Sequence, residues 1–97
     1  MRVIAVSTLR DFWSVHSDAR LPLTEWYIKV CGAHWKSVAD IKNDFNSVDY
    51  VGNQHFVFNI KGNRYRLVAA IKFIPGLVYI RFMGTHKEYD KIDVSKV

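Results

Sequence analysis

From residue 48 onward the hydrophobic pattern of this chain takes a period of two, and three short apolar stretches follow one another across two turns. Residues 55–60 (HFVFNI), 64–73 (RYRLVAAIKF) and 77–83 (LVYIRFM) are rich in β-branched and aromatic side chains, which predicts strands. Lys61-Gly62-Asn63 predicts a hairpin turn between the first two, and Pro75-Gly76 turns the second into the third. In the long strand Tyr65, Leu67, Ala69, Ile71 and Phe73 share one face, while Arg64, Arg66, Val68, Ala70 and Lys72 share the other. In the last strand Val78, Ile80 and Phe82 form the apolar face, with Tyr79, Arg81 and Met83 opposite. Two adjacent strands therefore each place an arginine on the face turned away from the core.

The first half of the chain must cover the apolar face. Residues 1–6 predict a strand. Thr8 followed by Asp11 resembles a capping box and opens a helix through Leu9, Phe12, Trp13 and His16, ending near Arg20, where Leu21-Pro22 breaks it. Pro22 and Thr24 start a second helix, with Trp26, Tyr27, Val30 and Cys31 on its apolar face and Gly32 at its end. Ser37 with Asp40 caps a short third helix reaching about Phe45. Trp13, Trp26 and Trp35 all fall in this helical part, and core packing accounts for them. The expected fold is α+β, an antiparallel sheet packed on N-terminal helices in the order β-α-α-β-β-β. With no repeat or linker, residues 1–97 are expected to form one domain, which at this length buries ~60–70% of its unfolded surface.

Several functional classes fall away. A composition that is 49% hydrophobic and 14% aromatic belongs to a globular chain. No apolar run approaches the ~18 residues of a membrane span, and the opening MRVIAVSTLRDFW lacks a signal peptide's apolar stretch. The expectation is a cytoplasmic protein without membrane contact. Cys31 is the single cysteine, so an intrachain disulfide and a cysteine-rich zinc site are excluded, and a buried structural thiol is expected. His16, His34, His55 and His86 show no HxH or HxxxH spacing, so neither a metal nor another cofactor is called for. The net charge of +5 is unevenly placed. Residues 1–54 hold six Lys/Arg against six acids, whereas residues 55–97 hold eight against three. A polyanion-binding surface in the second half is the natural reading, and a basic surface kept for solubility is the plainer one.

Beyond the last strand stands Gly84-Thr85-His86-Lys87-Glu88-Tyr89-Asp90-Lys91. One helical turn here brings His86, Tyr89 and Asp90 to one side, so that Asp90 can orient the imidazole. An imidazole is the usual proton-transfer group at neutral pH, and fixed arginines stabilise a phosphate whose charge grows in the transition state. Tyr89 can stack on a base or donate a hydrogen bond. These are the parts that metal-free RNA cleavage needs. A base deprotonates the ribose 2′-OH, the oxygen attacks phosphorus in line, cations hold the phosphorane, and an acid protonates the departing 5′ oxygen. Such cleavage leaves 2′,3′-cyclic phosphate and 5′-OH ends. On this reading His86, Arg66, Arg81 and Tyr89 are the catalytic candidates, and Arg64, Lys61, Lys72, Lys87, Lys91 and His55 are candidates for RNA binding. A surface histidine and arginines that hold a partner's carboxylates are the alternatives from the residues alone.

The stretch Phe58-Asn59-Ile60-Lys61-Gly62-Asn63-Arg64-Tyr65-Arg66-Leu67, then Arg81, then Gly84-Thr85-His86-Lys87-Glu88-Tyr89-Asp90, resembles the HigB-type toxins. In that family a GN-x-YRL hairpin is followed by a strand and a closing THxEYD motif. Leu23-Thr24-Glu25-Trp26-Tyr27, Trp35 and Asp40-Ile41-Lys42 resemble the family's helical portion, so the likeness covers nearly the whole chain. It implies a RelE-like fold and cleavage of mRNA, usually on the translating ribosome. It also implies a helix-turn-helix antitoxin, with operator DNA bound only through the toxin–antitoxin complex. Arg66 and Arg81 match the basic sheet positions, and His86 and Tyr89 match the closing motif. RelE-like enzymes differ in which residues serve as acid and base, so the resemblance does not divide those roles. Nothing beyond Lys91 is expected to be essential. Two other classes stand beside this one: a non-catalytic RNA- or ribosome-binding module, and a gyrase-directed member of the same superfamily, which needs no RNA-cleaving constellation.

Overall fold

In a computed structural model, which describes residues 1–97, the three apolar stretches become β3 (His55–Ile60), β4 (Tyr65–Lys72) and β5 (Leu77–Thr85). They pair antiparallel in sequence order. Two shorter strands flank them. β1 (Arg2–Ile4) lies against β5 and β2 (Asp49–Tyr50) against β3, giving the order β1-β5-β4-β3-β2. The two residues of β2 are too few to carry a period and were not predicted. The expected antiparallel sheet holds one exception, since β1 runs parallel to β5 with Val3 opposite Val78. A parallel pair needs a long crossover, and here nearly the whole chain supplies it.

Helices α1 (Ser7–Val15), α2 (Arg20–Cys31) and α3 (Val38–Asp44) cover one face. The core joins Leu9, Leu23, Trp26, Val30, Trp35 and Ile41 to Phe56, Phe58, Leu67, Ile71 and Val78. Trp26 and Trp35 are buried, as core packing predicts. Ser37 caps α3 by accepting a hydrogen bond from the Asp40 amide, as its sequence suggests. The boundary between α1 and α2 differs from expectation. α1 ends at Val15, a turn of 3-10 helix spans Ser17–Ala19, and α2 starts two residues before Pro22. Proline is accepted there because the first amides of a helix have no intrahelical acceptor to lose. The expected Thr8 cap is absent too: Val6 occupies the N-cap, without a side-chain bond.

Cys31 is exposed, not buried. The buried positions of α2 are Leu23, Trp26 and Val30, a helical stripe that turns away from Cys31 at the rim.

The strand faces agree with the predicted alternation along β4, whose Tyr65, Leu67, Ala69 and Ile71 join the core. β5 departs from it. Leu67 pairs with Met83 and Val68 with Phe82, but Ala69 pairs with Ile80, which leaves Arg81 as the extra residue of a β-bulge. One extra residue exchanges the faces of everything after it. Met83 therefore packs against the core, and Phe82 turns to the opposite face.

Candidate active site

The face of the sheet opposite the helices is laid out in rows by strand register. Asn59, Arg66 and Gly84 form one row, and Val57, Val68 and Phe82 the next. His55, Ala70 and Tyr79 form another, and Lys72, Leu77 and Arg2 the last. Arg81 sits at the bulge between the second and third, with its guanidinium carbon 5.2 Å from the centroid of the Tyr79 ring. That contact brings Arg81 to the same face as Tyr79.

Gly84 shapes the end of this face. A Cβ there would stand 2.6 Å from Cζ of Phe82 and 3.1 Å from Oε1 of Glu88. The missing side chain is thus the space that the Phe82 ring fills. Immediately beyond, Thr85 caps the one-turn helix α4 (His86–Tyr89). Thr85 Oγ1 accepts from the Glu88 amide at 3.2 Å, and Glu88 Oε1 accepts from the Thr85 amide at 2.8 Å. The backbone amide of Thr85, then its hydroxyl, hold the Glu88 carboxyl below its usual pKa, so the box stays ionised and closed. The capping box fixes a turn too short to persist by itself.

The turn brings the expected residues together. His86 Nε2 lies 3.6 Å from Oδ1 of Asp90, and both side chains are more than half exposed. Tyr89 is half-buried, its ring centroid 6.4 Å from that of Phe82. Arg66 is half-buried in the row of Gly84 and donates from one guanidinium nitrogen to the carbonyls of Asn63 at 3.0 Å and Tyr65 at 3.3 Å. The hairpin backbone thereby restrains its guanidinium. Phe82 is the contributor that sequence reasoning missed, because nothing in LVYIRFM marks the bulge.

The RNA-binding candidates separate. Lys72, Lys87 and Lys91 are exposed, without an ion-pair partner. Lys61 and Arg64 instead reach Asp18, at 3.1 and 2.8 Å, and Arg64 thus leaves the face on which alternation placed it. Tyr65 donates to the same carboxylate at 2.5 Å. The Tyr65 hydroxyl, with Lys61 and Arg64, lowers the Asp18 carboxyl to about 2. These cations staple the β3–β4 hairpin to the turn between α1 and α2. His55 is buried, with Nδ1 2.6 Å from the Asn53 carbonyl and Nε2 2.9 Å from the carbonyl of Val97. Its ring is closed to a ligand, and the segment after α4 returns to the sheet there, so residues beyond Lys91 have a structural contact that the sequence did not suggest.

Clefts of about 240 to 440 Å³ occur elsewhere on the molecule, and none includes Arg66, Arg81, His86 or Tyr89. The candidate site is an open surface, which suits a polymer better than a small molecule. No three His, Cys, Asp or Glu side chains are grouped so as to hold a metal ion.

A helix-backed sheet with a cationic open face and a capped C-terminal turn defines a RelE-like domain. Residues 19–92 match the family model described as HigB toxin, the RelE-like toxic component of a toxin-antitoxin system. The chain belongs to that family. It is similar to the mRNA interferase toxin HigB of Escherichia coli strain K12, at 32% identity over 93 residues, covering 93% of this chain and 88% of the relative. The mRNA interferases HigB of Escherichia coli O157:H7 and of Shigella flexneri match to the same extent.

Proposed function

We propose that this chain is the toxin of a type II toxin-antitoxin pair and an endoribonuclease that cleaves mRNA, in the cytoplasm and on the translating ribosome. The observation that carries the reading is an open face with Arg66 and Arg81 on adjoining strands, followed at the end of β5 by a turn that carries the His86–Asp90 pair and sets Tyr89 against Phe82. The family membership and the mRNA-cleaving activity named for the relatives point the same way.

In the proposed reaction a ribose 2′-OH loses its proton and attacks the adjacent phosphorus. The P–O5′ bond breaks, leaving a 2′,3′-cyclic phosphate and a 5′-OH. Arg66 and Arg81 offset the charge of the phosphorane, and the hairpin carbonyls hold the Arg66 guanidinium in place before substrate arrives. His86 transfers a proton, and Asp90 at 3.6 Å favours the ring orientation. Tyr89 supports the base beside the scissile bond. Only side chains take part. The inhibitory partner is a helix-turn-helix antitoxin, through which the complex contacts operator DNA.

The decisive substitution is His86→Gln, assayed by single-turnover cleavage of mRNA on programmed ribosomes. Cleavage should fall ~10²–10⁴-fold while ribosome binding stays near that of the wild type. Cleavage within a few-fold of wild type would make His86 structural and move the proton transfers to Tyr89 or Lys87. Wild-type protein that binds ribosomes but never cuts would favour the non-catalytic binding module.

A further inference from the structure

We propose that Arg2 and Lys72 form a second phosphate subsite, which extends the RNA track along β5 away from the cleavage end. The inference rests on the nuclease reading above and names how far along the chain the substrate is held.

Register puts Arg2 and Lys72 on one row, on either side of Leu77. Val3, next to Arg2, packs into the core opposite Val78, so register places the Cβ of Arg2 on the face that carries Tyr79 and Arg81, at the rim it shares with the cleft beside His34 and Lys36. Both cations are exposed, and neither has an acidic partner. That separates them from Lys61 and Arg64, whose charges Asp18 already balances. Strands lie ~4.8 Å apart, so the two Cα atoms are ~10 Å apart across Leu77, and long side chains can converge on one phosphate. From this row to Arg81 is ~13 Å along β5.

Between them lies Tyr79, half-buried, with the Arg81 guanidinium against its ring. The sequence along the face is therefore cation pair, aromatic, cation, aromatic, cation: Arg2 with Lys72, Tyr79, Arg81, Phe82, Arg66. Alternation of backbone-binding charge with flat stacking surfaces is what an extended single strand requires. A folded or double-stranded substrate would not place successive bases on Tyr79 and Phe82. Arg2 belongs to β1, which no motif marks, and its position follows from the parallel pairing alone.

The test is fluorescence anisotropy of the purified chain with 2′-O-methyl RNA, which lacks the attacking hydroxyl, in strands of about four and about twelve nucleotides. Wild type should bind the longer strand more tightly. The double variant R2Q/K72Q should bind the longer strand about tenfold more weakly near physiological salt and reduce the salt slope by about 0.7, while the short strand is held as before. Each single variant should give part of the loss, and circular dichroism should be unchanged, since both side chains are exposed. Equal binding of the longer strand by wild type and R2Q/K72Q would overturn the subsite and leave the pair to an acidic protein partner. Wild type that binds neither strand would overturn it as well. Correct binding behaviour beside undiminished cleavage by His86→Gln would uphold the subsite while removing the proposed catalytic role of that histidine.

Discussion

Arg66 and Arg81 carry the same charge on the same face, yet the structure holds them differently. Arg66 is half-buried and tied to the Asn63 and Tyr65 carbonyls, whereas Arg81 is exposed at the bulge and braced by the Tyr79 ring. Arg66→Ala and Arg81→Ala should each slow cleavage by about 100-fold, the scale for losing one transition-state charge partner. Substitution by lysine should separate them. Lysine lacks the guanidinium plane that stacks on the Tyr79 ring and meets a phosphate with two donors, so neither position should recover fully, and Arg81→Lys should recover less than Arg66→Lys, whose ammonium can still donate to both hairpin carbonyls. Asp18 gives a residue-scale prediction in acid. Its carboxyl is held at about 2 against an ordinary 3.8, with the Tyr65 hydroxyl the largest cause. A depressed folded pKa means that the ionised carboxylate favours the folded state above pH 3.8, and that this contribution disappears as pH falls from 3.8 towards 2. Wild type should melt above Asp18→Asn at neutral pH, and the two melting curves should converge through that acid window.

At the scale of elements, the hairpin and the one-turn helix were legible and the bulge was not. Lys61-Gly62-Asn63 and Pro75-Gly76 state their turns in residues whose backbone preferences are strong, and Thr85 with Glu88 satisfies a capping box whose geometry is local. The bulge at Arg81 depends on how β4 and β5 pair across the sheet, and no residue near it has an unusual local preference. That single irregularity exchanged Phe82 and Met83. The same limit explains Lys61 and Arg64: alternation fixes where a Cβ points, while a long cation follows the nearest carboxylate, here Asp18 from a distant turn. Gly84 tests the element directly. Gly84→Ala must displace the Phe82 ring, whose Cζ would be 2.6 Å from the new methyl group, and with it the support of Tyr89. The ring end can swing aside, so the variant should fold. Cleavage should drop well below what its melting temperature would suggest, and the Phe82 and Tyr89 side-chain NMR signals should shift together.

For the whole molecule, the charge asymmetry read from the sequence resolves into a layered plan. The helices α1 to α3 fall in the electrically balanced first half, and of the second half's cations Arg66, Lys72 and Arg81 lie on the sheet's open face. Inducing this chain without an antitoxin should arrest growth within a few generations, and His86→Gln at equal expression should not; normal growth with abundant soluble wild-type protein would remove the toxin reading. The parallel seating of β1 against β5 also orders events in time. Synthesis delivers Arg2–Ile4 first, but their partners at Leu77–Tyr79 emerge only after most of the message has been read. Until then the nascent chain has no finished sheet and no assembled basic face. A protein proposed to cut messages in translation thus gains its competence late in each round of synthesis, and a chain cut short before Leu77 lacks it altogether.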